Sequence, residues 1–365
     1  MKILQIIARV NRGGTARWLE ELVIGLRSNG HEVLLAAGYV QESETEDEMF
    51  EKLGGHRIES LGRSISIFSD LKALIEVRKL IVECKPDLVN THTAKAGVIG
   101  RLAANSIIRN RPAIVHTYHG HLLYGYFPNW KSNIFRSIEI IMAKVSDILI
   151  AAGDKVKTDL IKAGIGNENL FYVLRPGIKD FKLLDKEVIR GKLGIGNDKI
   201  IVGWLGRMTK IKRVDRAIEL AKEFPDTIFL LGGEGDLLEE IKSSAPANVV
   251  FLGWTRPETL WSVSDIALLT SDNEAQPISL IEASYSSLPI VAQNVGSVSE
   301  VVDDGKTGFL VLNFEESVIA LQKLIISSEL RESFGAAGRE YVKFRFSPDQ
   351  FISGHEAAYA RALRK

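Results

Sequence analysis

Short apolar runs alternate along this chain with longer stretches whose apolar positions recur every three to four residues. The runs at 3–8, 32–37, 87–90, 113–117, 147–151 and 170–174 predict buried strands in the first half. Those at 200–205, 227–231, 249–252, 266–270, 289–292 and 309–311 predict them in the second. Helical periodicity fills the gaps, for example over 16–29, 71–84 and 214–223. Strands alternating with helices predict βα units and parallel sheets. The pattern restarts near residue 200, after Arg175, Pro176 and Gly177 and a charged segment at 179–198. The expectation is an α/β protein of two Rossmann-like domains, 1–178 and 179–348, facing each other across a cleft. After Ser347 and Pro348, residues 349–365 read as one more helix, which either caps its own domain or returns to the first.

The length of 365 residues suits two domains of ordinary size. Charge narrows the partners. There are 46 basic and 46 acidic side chains, so the basic footprint of a dedicated nucleic-acid binder is missing. The balance hides an asymmetry, because residues 101–150 carry six basic and two acidic side chains, room for an anionic partner. Cys84 is the only cysteine, which excludes an intrachain disulfide and a Cys-rich zinc site. It also fits a reducing cytoplasm. The opening MKILQII lacks the layout of a signal peptide. No apolar run reaches the ~18 residues that would span a bilayer. The expected location is cytoplasmic, with peripheral contact to the inner face of the membrane left open.

Ligands of open parallel sheets bind beyond the carboxyl ends of the strands, so polar residues just after the predicted strands are the candidates. Gly13 and Gly14 follow the first strand, where glycine lets the backbone approach a ligand and a helix N-terminus favours anions. The spacing is neither G-x-G-x-x-G nor a Walker A loop, and an ordinary strand–helix turn would look the same. His92, His116, His119 and His121 lie near strand ends, yet no carboxylate partners accompany them, so no metal is expected. His119, followed by Gly120, is the best placed of them to touch a substrate. The aromatic and basic stretch 122–131 reads either as a lipid- or sugar-facing loop or as part of the core.

In the second half, Gly206 and Arg207 follow a strand and Lys212 lies five residues on, two cations placed to hold a diphosphate. The most informative segment runs from Ser271 to Ala283. Pro277 suits the first turn of a helix, Glu274 stands in the loop at its mouth, and Glu282 lies more than one turn inside. One carboxylate can grip sugar hydroxyls and the other a vicinal diol such as a ribose. Together with Arg207 and Lys212 this describes a nucleotide-diphosphate sugar.

At this point the chain resembles the retaining glycosyltransferases of family 4, which have the GT-B fold. Glu274 and Glu282, eight apart around Pro277, match that family's Glu-x7-Glu motif. The likeness also runs through THTAKAGVIGRLAA at 91–104, HTYHGH at 116–121, GRMTKIK at 206–212, FLGW at 251–254, SLPIVAQNVGSVSEVV at 287–302 and DGKTGFLV at 304–311. The resemblance implies that Arg207 and Lys212 bind the donor diphosphate and Glu282 the ribose. It implies that Glu274 and the backbone of Ala275, Gln276, Pro277, Ile278 and Ser279 hold the sugar, with His119 near the anomeric carbon. Gly13 and Gly14 would approach phosphate or acceptor, and Thr255 would read the base through its backbone. Thr15, Arg17, Tyr118, Tyr124 and Tyr126 are the acceptor-side candidates. It further implies that the helix at 349–365 returns to the first domain. No cofactor or metal is expected, only the donor, with UDP as the default base by family frequency. The expected acceptor is a saccharide or lipid-linked saccharide used in a surface polysaccharide such as capsule or O-antigen. Three departures stand out: Gln276 for a large apolar residue, Ala275 for a frequent glycine, and Arg213 where many relatives have glycine. Two other readings are an epimerase of the same fold, which would need an acid/base pair at the sugar, and a non-catalytic nucleotide-sugar-binding subunit.

Overall fold

The computed structural model describes residues 1–42, 44–62, 66–120 and 128–365. It divides into two units, Met1–Gly177 with Pro348–Lys365, and Ile178–Ser347. The first boundary falls one residue before the 178/179 junction expected from sequence.

The first unit is built from β1 (Lys2–Ile7), α1 (Gly14–Ser28), β2 (Glu32–Ala37), α2 (Met49–Lys52), β3 (His56–Arg57), α3 (Ile67–Cys84), β4 (Leu88–His92) and α4 (Ala94–Asn105). It continues with β5 (Ala113–Tyr118), α5 (Asn129–Lys144), β6 (Ile148–Ala151), α6 (Asp154–Lys162) and β7 (Phe171–Val173). Among the described residues its strands form one parallel sheet in the order β3-β2-β1-β4-β5-β6-β7. The central strands are apolar almost throughout because helices cover both faces of such a sheet. The order reverses between β1 and β4, and a crevice opens beyond their carboxyl ends at such a point. Gly13, Thr93 and His119 follow β1, β4 and β5 there. The two-residue strand β3 escapes the sequence pattern, being too short to show alternation.

The second unit holds α7 (Lys186–Leu193), β8 (Ile201–Leu205), α8 (Val214–Glu223), β9 (Ile228–Gly232), α9 (Leu238–Ser244), β10 (Val249–Gly253) and α10 (Pro257–Trp261). Next come β11 (Ile266–Leu269), α11 (Ile278–Tyr285), β12 (Ile290–Gln293), β13 (Gly308–Val311), α12 (Phe314–Ile326) and α13 (Ser328–Arg345). Among the described residues its parallel sheet has the order β10-β9-β8-β11-β12-β13, with the reversal between β8 and β11. The loops after those two strands carry Arg207, Lys212 and Glu274. Part of the charged segment at 179–198 is α7, capped by the Asp185 side chain accepting from Val188 N at 3.1 Å.

The final helix, α14 (Pro348–Ala362), belongs to the first unit. Its Phe351, Ile352, Ala358 and Tyr359 share a core with Trp18, Leu22 and Leu26 of α1. Gly25 permits this contact, since a Cβ there would stand 2.3 Å from Ile352 Cδ1.

Candidate active site

In the second unit, two loops are locked together before any ligand arrives. Gly206 N donates to Gly232 O at 3.1 Å, and Met208 N to Glu234 O at 2.8 Å. This close approach explains the glycines of the 232–235 turn. Gly233 has φ of 134°, and a Cβ on it would meet Gly206 O at 1.9 Å. Met208 is fully buried while Arg207 beside it is exposed, so the anchor and the cation point opposite ways. The hydroxyl of Thr270, just past β11, accepts from Trp204 Nε1 at 3.0 Å and donates to Lys212 O at 2.9 Å. Asp272 N donates to Ile211 O at 2.9 Å. The Lys212 backbone is thereby pinned to the end of β11.

The side chains then converge. Lys212 Nζ lies 2.5 Å from Glu274 Oε1, and Ser271 Oγ donates to the same oxygen at 2.7 Å. The Glu274 side chain is 8% exposed and that of Lys212 26%, so the pair is partly shielded from water. Ser297 N holds the Glu274 carbonyl at 3.0 Å. Pro277 is the N-cap of α11, one place earlier than the first-turn position expected for it, and no side chain caps that helix. The start of α11, with Ile278 and Ser279, is therefore available to an anion or a hydroxyl. Glu282 lies on α11 and is buried. Gln276 Nε2 donates to Glu300 Oε2 at 3.1 Å, which turns this side chain toward the protein. Thr255 follows β10 and is partly exposed. Ser271 and Thr270 were not singled out as site residues; their position directly after a strand was the available signal.

In the first unit, Gly13 is the N-cap of α1 with φ of 145°, a conformation that favours glycine. No side chain caps this helix either. Thr15 and Arg17 lie in its first turn, with Arg17 3.4 Å from Glu20. His119 follows β5, with Trp18 edge-on at 4.9 Å and its Nε2 2.9 Å from His92 Nδ1. Burial, with His355 nearby, pulls its pKa down to about 3, so the imidazole is neutral at pH 7. Tyr118 corrects an expectation. It is buried in the core and its hydroxyl donates to Glu139 at 2.6 Å, the carboxylate that also pairs with buried Arg101. It is a structural group and does not face an acceptor. Tyr124 and Tyr126 lie outside the described residues. No three His, Cys, Asp or Glu side chains are gathered to hold a metal ion among the described residues.

The family model described as Glycosyltransferase Family 4 matches residues 12–179, and that of Glycosyl transferases group 1 matches residues 185–341. The chain belongs to glycosyltransferase family 4. This glycosyltransferase is 28% identical over 280 residues, 72% of each chain, to the Escherichia coli UDP-Gal:alpha-D-GlcNAc-diphosphoundecaprenol alpha-1,3-galactosyltransferase. It is 27% identical to the Staphylococcus aureus capsular polysaccharide biosynthesis glycosyltransferase CapM, over 83% of this chain and 84% of that one. Its fold matches that of Anabaena HepE, crystallised with UDP and glucose, at a TM-score of 0.83 and 20% identity over 99% of both chains. The architecture is GT-B.

The expected oddity of Arg213 has a physical reading. Arg213 adopts a left-handed conformation, φ 48° and ψ 48°, which suits glycine better than any other residue. Its guanidinium compensates by donating to Asp215 at 2.7 Å, with Asp272 3.4 Å away. Relief of ~1 kcal/mol of backbone strain should offset loss of half-exposed ion pairs worth ~0–1 kcal/mol. Arg213→Gly is therefore expected to melt within about 3 °C of the parent. A melting scan checks this, and a large drop would show that the ion pairs shape the loop.

Proposed function

We propose that this glycosyltransferase moves a hexose from a UDP-hexose to a hydroxyl of a lipid-linked saccharide, with retention at the anomeric carbon. The product would enter a bacterial surface polysaccharide. The observation that carries this reading is the Lys212–Glu274 pair at the sheet reversal, with Arg207 in the same loop. A cation and a carboxylate held side by side suit a substrate whose diphosphate and hydroxyls are adjacent.

Arg207 and Lys212 neutralise the charge that grows on the departing diphosphate. They can do so without an added metal, so the reaction is proposed to be metal-independent. Glu274 and the first amides of α11 hold the sugar, and Glu282 takes the ribose. The departing diphosphate oxygen takes the acceptor proton on the same face, and the protein contributes positioning and charge stabilisation. The name of the Escherichia coli relative supports the nucleotide and the lipid-linked acceptor, and that of the Staphylococcus aureus relative supports a surface polysaccharide.

The test is thermal denaturation against UDP, GDP, ADP and a panel of UDP-sugars, with and without EDTA. A ligand at 100 times its Kd adds about 2.7 kcal/mol. The expected result is a shift with the uridine nucleotides alone, unchanged by EDTA. No shift with any nucleotide overturns the reading. An α-linked product from an α-linked donor, read by NMR, checks retention.

Glu274→Gln is expected to separate two effects. Lys212 loses its internal counter-ion, so UDP binds about fivefold tighter, the ~1 kcal/mol scale of a partly shielded pair. Turnover falls because the sugar loses a charged acceptor. Calorimetry with UDP beside initial rates checks both directions.

Peripheral membrane contact at the cytoplasmic face is part of the proposal. Trp130, Ile134 and Ile141 recur along one side of α5 and are each more than half exposed. Lys131, Arg136 and Lys144 lie on the same helix, while its one acidic residue, Glu139, is tied to Arg101. Such a helix lies on anionic lipid. Sedimentation with phosphatidylglycerol vesicles but not phosphatidylcholine vesicles is expected, and should weaken in Trp130→Ser. Equal sedimentation of parent and variant would rule out this helix. No described helix is long and apolar enough to cross a membrane.

A further inference from the structure

Two consecutive residues past β11, Thr270 and Ser271, are tied to the two charged groups of the second unit's candidate site. Both are buried, so water does not compete for their hydroxyls. The sense of each hydrogen bond follows from its partner. An indole N–H only donates and a backbone carbonyl only accepts. Trp204 Nε1 therefore donates to Thr270 Oγ1 at 3.0 Å, and the Thr270 hydrogen goes to Lys212 O at 2.9 Å. Trp204 is buried as well, so this hydroxyl cannot turn away without leaving buried groups unpaired. Asp272 N, donating to Ile211 O at 2.9 Å, grips the same loop one residue earlier.

Ser271 acts on the opposite charge. Glu274 is ion-paired with Lys212, and a carboxylate only accepts, so Ser271 Oγ is the donor to Oε1 at 2.7 Å. Lys212 Nζ lies 2.5 Å from that same oxygen. Two donors thus converge on Oε1, whereas among the described residues no hydrogen bond reaches Oε2. The main chain is fixed too, because Ser297 N donates to Glu274 O at 3.0 Å. The residue is held at its backbone and at one carboxylate oxygen, and it shows one uncommitted oxygen.

We propose that Thr270 and Ser271 are positioning residues for sugar transfer. Thr270 sets Lys212 against the diphosphate, and Ser271 turns Glu274 so that Oε2 is the oxygen offered to the sugar. The inference rests on the reading of this site as one for a nucleotide sugar. It divides the two effects between neighbours in the chain: a hydroxyl lost at 270 is felt at the diphosphate, and one lost at 271 at the sugar alone.

The test is calorimetry of the full chain with UDP and with UDP-glucose, UDP-galactose and their N-acetylated forms, the tightest of these sugars serving as the donor. Thr270→Val is expected to weaken UDP and the donor alike by about fivefold, the scale of one hydrogen bond. Thr270→Ser should restore both. Ser271→Ala is expected to leave UDP within about twofold of the parent while the donor weakens about fivefold. That selective loss should vanish in the Glu274→Gln background, because effects that pass through one group do not add. A merely loosened loop would weaken UDP and donor together in Ser271→Ala, or would keep its full effect without the Glu274 carboxylate. Either result overturns the role of Ser271, and an unchanged UDP affinity in Thr270→Val overturns that of Thr270. If a variant does not fold, Thr270→Cys or Ser271→Cys serves, since a thiol is a weak donor of similar size. A parent that binds neither UDP nor any of these sugars fails the nucleotide-sugar reading itself. A parent that binds them while the variants match it fails only the positioning roles, so the two failures are distinguishable.

Discussion

Replacing Lys212 by alanine is expected to lower turnover by about 10²- to 10³-fold, the scale of losing one preorganised group that stabilises transition-state charge. The backbone of Lys212 is held by Thr270, whose hydroxyl donates to its carbonyl, so the loop should survive the change. What is lost is the ammonium 2.5 Å from Glu274. In the proposed substrate complex that charge faces an oxygen whose negative charge increases as the glycosidic bond breaks, so the loss should fall on kcat more than on KM. Glu274 is left with the Ser271 hydroxyl and becomes an under-compensated carboxylate beside a diphosphate, which adds repulsion. Steady-state rates with saturating donor measure the effect. Turnover within a few fold of the parent would remove Lys212 from the diphosphate site.

Acid should destabilise the first unit well above the pH at which carboxylates protonate. His92, His116, His119 and His355 are all held below their ordinary pKa by burial, His355 to about 4. His355 is fully buried, donates Nδ1–H to Phe351 O at 2.7 Å, and packs edge-on against Phe351 and Tyr359. The unfolded chain takes up these protons first, near pH 6.5, while the folded chain resists until far lower. Stability is therefore complete above about pH 6.5 and falls as the pH drops toward the folded values. For His355 alone the loss by pH 4 is roughly 3 kcal/mol, since each tenfold difference in proton affinity between the folded and unfolded chain is worth ~1.4 kcal/mol. His92 and His116 add with the same sign. Denaturant titrations at pH 8, 6.5 and 5 should show the decline, and His355→Leu should flatten part of it. Equal stability at pH 7 and 5 would contradict the neutral burial of these rings.

The pattern of the chain reveals the two sheets because fully covered parallel strands are continuous apolar runs, a signal that survives in a single sequence. Glu32–Ala37 and Val214–Glu223 form the elements their periodicity predicts, end to end. The candidate site of the second unit is equally legible, since Arg207, Lys212 and Glu274 lie in the loops that follow β8 and β11. Tyr118 misled for the same reason: it ends β5, and strand-end position alone does not tell a ligand-facing side chain from one directed at Glu139 on α5. The buried hydrogen-bonded chain from His119 through His92 and Gln5 to Tyr359 leaves no local trace in the sequence. Gln5 and Tyr359 are 354 residues apart in sequence, and no local period connects them. The left-handed backbone of Arg213, which suits glycine, has no signature in the sequence.

The path of the chain through its two units has a consequence for synthesis. Residues 178–347 form a contiguous unit that can fold as soon as it emerges, whereas the first unit needs Pro348–Lys365. At ~5–20 residues per second, the ribosome takes roughly 10–30 s to make the intervening stretch. Throughout that interval Trp18 and Leu22 lack the Phe351 and Tyr359 they are packed with in the finished core. The portion translated first is thus the one completed last, and a nascent chain stalled before α14 should be a client for chaperones even though its second unit is already native.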